Sequence, residues 1–118
     1  MKETQLLKGV LEGCVLSIIA DHEVYGYELV QILKSYGFTT IVAGTVYPLL
    51  QKLEKQKCIK SKTLPSRDGL DRKYFFITKE GLLSLQEFEN QWKGLVNKVN
   101  QIVRSERTSI DEQRNKSC

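Results

Sequence analysis

Histidine occurs once, at His22, so neither a histidine-based catalytic pair nor a multi-histidine metal site can form within one chain. Cysteine occurs three times, at Cys14, Cys58 and Cys118; this odd number at wide spacing supports neither a disulfide framework nor a CxxC metal knuckle. No apolar run approaches the ~20 residues of a membrane span, and Met1–Thr4 is too short and polar to open a signal peptide. There is no GxxxxGK[ST] loop to cradle a nucleotide, and no spacing of Asp and Glu singles out an acid/base pair. Together these absences predict a cytoplasmic protein that is not an enzyme, with no catalytic residues, cofactor, metal or membrane partner. Cysteine chemistry leaves one opening. Cys58 follows Lys57, a cation that favours a thiolate, whereas Cys14 falls in an apolar pattern and is expected to pack as a small hydrophobe.

What is present fits one small domain, completed by a partner subunit. A chain of 118 residues, 41% hydrophobic, can bury one modest core. The net charge of +4 is unevenly spread. From Lys34 to Lys79 there are ten bases against three acids (Glu54, Asp68, Asp71), 10 − 3 = +7, while the remainder holds eight bases and eleven acids, or −3. A basic middle between acidic flanks is the footprint of a polyanion-binding surface, and equally of a lysine-rich solvated face.

Periodicity separates the two. Leu6, Leu7, Val10, Leu11, Cys14, Val15, Ile18 and Ile19 recur at spacings of three and four and predict one amphipathic helix over Gln5–Ala20. A second, shorter helix follows in "YGYELVQILKSYG", with Gly37 as its stop. A third is predicted in "GTVYPLLQKLEKQKCI". If Thr45 or a residue just before it is the cap, Pro48 falls among the first four positions, whose N–H groups have no intrahelical acceptor to lose. Val46, Leu49, Leu50 and Leu53 form its inward face. "IKSKTL", the turn-rich "PSRDGLD" and "RKYFFI" then predict two antiparallel strands with a basic connection.

Three helices followed by a β-hairpin is the order of a winged helix-turn-helix, a mostly α member of the α+β class, whose third helix enters the major groove of double-stranded DNA. Thr45, Tyr47, Gln51, Lys52 and Lys55 are left to point away from the core, and the expected DNA contacts are Thr45, Tyr47 and Gln51 at bases or nearby phosphates, with Lys52, Lys62, Arg67, Arg72 and Lys73 mainly on phosphates. Tyr47 and Tyr74 both adjoin apolar residues, so a packing role competes for each.

From Lys79 onward a long helix is predicted, with Leu85, Phe88, Trp92, Leu95, Val99 and Ile102 spaced three and four apart and Val96 and Val103 widening the stripe. Over about 25 residues it would span ~40 Å, longer than so small a head can cover, and this predicts a homodimer. The expected organisation is a DNA-binding domain over 1–78, a dimerisation helix over 79–107 and a disordered polar tail over 108–118.

"GTVYPLLQKLE" followed by Ile59, then "RKYFFITKEG", with "YGYEL" in the second helix, resembles the PadR family of bacterial transcription regulators over roughly the first 85 to 105 residues. The resemblance implies a dimeric regulator, usually a repressor, that binds a palindromic operator and releases it on binding a small molecule. It places the recognition helix's exposed start at Gly44, Thr45 and Tyr47, and the wing's basic strand at Arg72, Lys73 and Tyr74. In some relatives a tryptophan matching Trp92 stacks on planar ligands, which makes a small planar or aromatic effector a candidate partner here. Two positions depart from the family pattern: Lys57 stands where a glycine is usual after the recognition helix, and Leu70 and Asp71 replace small, proline or basic residues at the wing tip. Two alternatives keep the same fold: a winged helix that binds proteins, and a thiol-based redox sensor acting through Cys58.

Overall fold

The computed structural model describes residues 3–105. The predicted tail over 108–118, Cys118 and the last two residues of the predicted 79–107 helix lie outside the described residues. The chain divides into two compact units, one ending at Gln86 and the other beginning at Glu87.

In the first unit, α1 (Glu3–Leu7) and α2 (Leu11–Asp21) replace the single helix predicted over Gln5–Ala20. The break falls at Gly9, whose φ of 91° is left-handed and cheap only for glycine. The apolar spacing carries across the break, and that is why periodicity alone missed it. Next come β1 (Val24–Tyr25) and α3 (Gly26–Ser35). As predicted, α3 stops at Gly37 (φ 101°), where the Phe38 N–H donates to Leu33 C=O at 3.1 Å and the Gly37 N–H to Lys34 C=O at 2.9 Å.

The third predicted helix is α4 (Ala43–Lys55), preceded by Val42 in extended conformation at the N-cap position. It starts earlier than the sequence suggested, so Pro48 lies sixth in the helix rather than among its first four positions. The missing Pro48 N–H therefore leaves the Gly44 C=O without its usual intrahelical donor. At the other end α4 closes through Lys57 at φ 65°, with the Cys58 N–H bonded to Leu53 C=O and the Lys57 N–H to Glu54 C=O, each at 3.0 Å. The chain keeps the glycine-type exit although a lysine occupies it.

Strands β2 (Ile59–Pro65) and β3 (Asp71–Ile77) form the predicted antiparallel hairpin, in register from Ile59 opposite Ile77 to Pro65 opposite Asp71. The two residues of β1 pair with the other edge of β3, giving the order β1-β3-β2. A strand this short leaves no alternation to detect in sequence. Val15, Ile19, Leu29, Leu33, Val46, Leu50, Leu53 and Ile59 are almost completely buried and join helices and sheet in one core.

The last helix, α5 (Lys79–Asn100), continues as a π-helical turn over Gln101–Ser105. Its start, to Gln86, belongs to the first unit. The Thr78 hydroxyl accepts from the Gly81 N–H at 3.0 Å, capping the helix, while the Thr78 N–H donates to Cys58 C=O at 3.0 Å. A side chain at Gly81 would collide with that Cys58 carbonyl, so the acid of a capping box has no room there.

Candidate nucleic-acid interface

Burying Val46, Leu50 and Leu53 commits one side of α4 to the core and turns Gly44, Pro48, Gln51 and Lys55, spaced four, three and four, outward. No side chain caps the helix, so its first N–H groups and the positive end of its dipole are open to an anion. A Cβ added at Gly44 would meet nothing within 4 Å, so no contact inside the chain calls for glycine at that position.

Each flank of α4 is tied down. Tyr47 is 44% exposed, but its ring lies over Gly26, where any side chain would collide with it. The packing role that competed for Tyr47 is therefore realised, and the glycine of "YGYEL" has a steric reason. Lys52 pairs with Glu12 of α2 at 2.8 Å. Glu54 accepts from the Ser61 hydroxyl at 2.6 Å and from Lys73 at 3.5 Å, which links the helix to the wing.

The pleat puts Arg72 and Lys73 on opposite faces of β3. Lys73 shares the α4 side with Phe75, whereas Arg72 lies with Tyr25 and Tyr74, its guanidinium 4.8 Å from the Tyr25 ring centre. Tyr25 and Tyr74 meet edge to face at 5.4 Å, and burial pushes the Tyr74 hydroxyl's pKa up. At the wing tip Asp68 accepts from the Ser66 hydroxyl, from Arg72 Nη2 at 2.6 Å and from the Leu70 N–H at 3.1 Å. The hydrogen bond from Ser66, then that from Arg72, holds the Asp68 carboxyl well below the usual carboxylate range. Lys62 and Arg67 are exposed and form no ion pair among the described residues.

The expected interface residues thus fall into two groups. Gly44, Thr45, Gln51, Lys62 and Arg67 are exposed and unpaired among the described residues, while Tyr47, Lys52, Arg72 and Lys73 already have partners within the chain. Folding also brings Glu12, from outside the basic stretch, onto Lys52, so the local excess falls from +7 to 7 − 1 = +6. Sequence reasoning placed Lys55 on the outward face, where it is exposed, but missed Val42, Ala43 and Pro48, all exposed on or beside that face of α4. The helical period counted from Val46, Leu50 and Leu53 would have found Pro48 as well.

The thiols are placed differently. Cys58 is only 7% exposed, its sulfur 3.7 Å from the Ser84 hydroxyl, and burial pushes the half-buried Cys14 thiol up. An oxidant sensor needs an accessible thiolate, so both placements weigh against that alternative.

In the second unit Trp92 is 43% exposed and stacks on Phe88, the rings nearly parallel and 6.5 Å apart. Leu95, Val99, Ile102 and Val103 are each about half exposed or more, and Val96 is half-buried. Leu85, expected at the dimer interface, is instead 8% exposed in the first unit's core, because the start of α5 packs there. Leu82 and Leu83 are exposed on the same two turns.

The model of the transcriptional regulator PadR-like family matches residues 15–87. A crystal structure of a Streptococcus transcriptional regulator is 59% identical, covering 83% of this chain and 96% of that one, with a TM-score of 0.79. A PadR-like transcriptional regulator from Bacillus cereus is 46% identical over 85% of this chain and 97% of its own, with a TM-score of 0.80. A PadR family regulator from Eggerthella lenta is 37% identical over 86% and 88%, with a TM-score of 0.75.

Proposed function

Because the chain belongs to the PadR-like family of transcriptional regulators, we propose that it binds a palindromic operator as a homodimer, one α4 to each half-site, and represses transcription until a small planar or aromatic effector releases it. The observation that carries the DNA reading is the outward face of α4: an uncapped helix start, a glycine with open space above it, and Gln51 one turn beyond Pro48. An uncapped start suits a phosphate, and Gln51 can form a bidentate contact to adenine. Gly44, Thr45, Tyr47 and Gln51 are the proposed base-proximal residues, with Lys52, Lys62, Arg67, Arg72 and Lys73 serving the backbone and the wing.

The homodimer is supported by the apolar stripe of the second unit. Trp92, Leu95, Val99, Ile102 and Val103 are too exposed for a stable monomer surface, and a two-fold partner would cover them along with Phe88 and Val96. Trp92 is the proposed effector contact, its stacked pair with Phe88 being ready to accept a flat ring. No helix among the described residues is long and apolar enough to cross a membrane, and the proposed site of action is the cytoplasm.

The test is selection of duplexes from a randomised pool by the full-length protein, followed by binding across a salt series. Enrichment of an inverted repeat with a salt slope of about −7, corresponding to ~8 phosphates per dimer, supports the reading. Binding no tighter than to random duplex would refute it and leave the protein-interaction alternative standing.

A further inference from the structure

We infer that Arg72 serves DNA binding as a positioning residue, a strut that aims the wing tip, and is not itself a phosphate contact. The inference rests on the DNA-binding reading and refines it. Four observations carry it. Arg72 lies on the opposite face of β3 from Lys73, whose ammonium is the one that reaches Glu54 of α4. Its guanidinium is held at both ends, against the Tyr25 ring at 4.8 Å and on Asp68 at 2.6 Å, and its buried Nε meets no acceptor. Tyr25 belongs to β1 and directly precedes Gly26, on which the Tyr47 ring of α4 rests, so the strut is fixed to the element that also seats the recognition helix. Asp68 in turn binds Ser66 and the Leu70 N–H, closing the turn from Ser66 to Leu70 around Gly69.

This chain of contacts runs from the head to the tip and leaves two groups projecting from it, Arg67 and the 59% exposed Leu70. Arg67 is then the cation that meets a phosphate, and Leu70 an apolar group offered to the groove wall.

The two possible roles of Arg72 predict opposite signs when Asp68 is neutralised. A phosphate-contacting Arg72 competes with Asp68, so Asp68→Asn should release the guanidinium, remove an anion from the DNA side and tighten binding. A strut loses its anchor, so the same change should weaken binding despite the more favourable charge. The probe is a duplex enriched from a randomised pool by the wild-type protein, and the assay is anisotropy with full-length variants across a salt series. Asp68→Asn and Arg72→Gln are each expected to weaken binding by about 5-fold with an unchanged salt slope, and the double variant to be no weaker than either single one. Arg67→Gln, the control, should flatten the slope by about two per dimer. Tighter or unchanged binding by Asp68→Asn, or a flatter slope for Arg72→Gln, overturns the strut while the DNA-binding reading stands. Failure of the wild-type protein to enrich any duplex overturns the DNA-binding reading itself. Thermal melts of each variant identify any that lose affinity by unfolding.

Discussion

Substituting Gly44 by alanine should strengthen the protein and weaken its hold on DNA. Glycine within a helix costs roughly 0.5–1 kcal/mol relative to alanine, because the unfolded chain loses more freedom on ordering it. Gly44 is the second residue of α4, its φ is not left-handed, and a Cβ would meet no atom within 4 Å. Nothing in the chain therefore offsets the gain, and the melting temperature should rise by about 2–8 °C at fixed protein concentration.

The DNA side has the opposite sign. If the backbone at Gly44 lies against the duplex, an added methyl must displace it, and inserting a methylene into a packed contact costs roughly 1–3 kcal/mol. Two half-sites carry the substitution, so the complex should lose about 2 kcal/mol or more, on the order of 30-fold in Kd. Differential scanning calorimetry and anisotropy on one preparation give both numbers. A variant that is stabilised and binds with unchanged affinity would refute the close approach. So would one that is destabilised, since a hidden packing need would then explain the glycine.

Lys57→Gly should raise stability by about 1 kcal/mol, read as a shift in the denaturant midpoint, because the left-handed exit of α4 strains any residue with a Cβ. DNA affinity should not change. Gly81→Ala should lower stability by roughly 2–3 kcal/mol, because the obstacle is the Cys58 backbone carbonyl, which cannot rotate aside as a side chain would. Trp92→Ala should shift the protein from dimer to monomer in sedimentation at micromolar concentration, removing an anchor expected to contribute about 2 kcal/mol or more to association. A dimer of unchanged affinity would show that the stripe beyond Phe88 is not the interface.

The fold was legible in the sequence because its signals are local. Gly37 marked the end of α3, the alternation and turn residues marked β2 and β3, and the three-and-four spacing marked α2, α4 and α5. The misreadings share one cause. The break at Gly9, the sixth-place Pro48 and the paired strand β1 are decided by contacts between distant residues or by one torsion angle, and apolar spacing reports neither. The candidate interface was legible as a region and less so as a set of side chains. Glu12 reaches Lys52 across forty positions of sequence, and no charge pattern along the chain announces that pairing.

That difference between region and side chain bears on how a recognition helix is held. An α-helix seated on three buried residues can still rock about its axis, and a reader must be fixed to within a fraction of an ångström to discriminate bases. In α4 the polar and aromatic residues of both flanks supply that restraint. Tyr47 sits on Gly26, Lys52 is drawn to Glu12, and Glu54 is bonded to Ser61 and Lys73. Each exposed pair is worth little in stability, at most about 1 kcal/mol. On the proposed DNA-binding reading their weakness suits the task, because a phosphate would take Lys52 or Lys73 from its carboxylate at small net cost once the helix docked. The face between the flanks, from Gly44 through Pro48 and Gln51 to Lys55, makes no such tie among the described residues, and the proposed reading seeks specificity there.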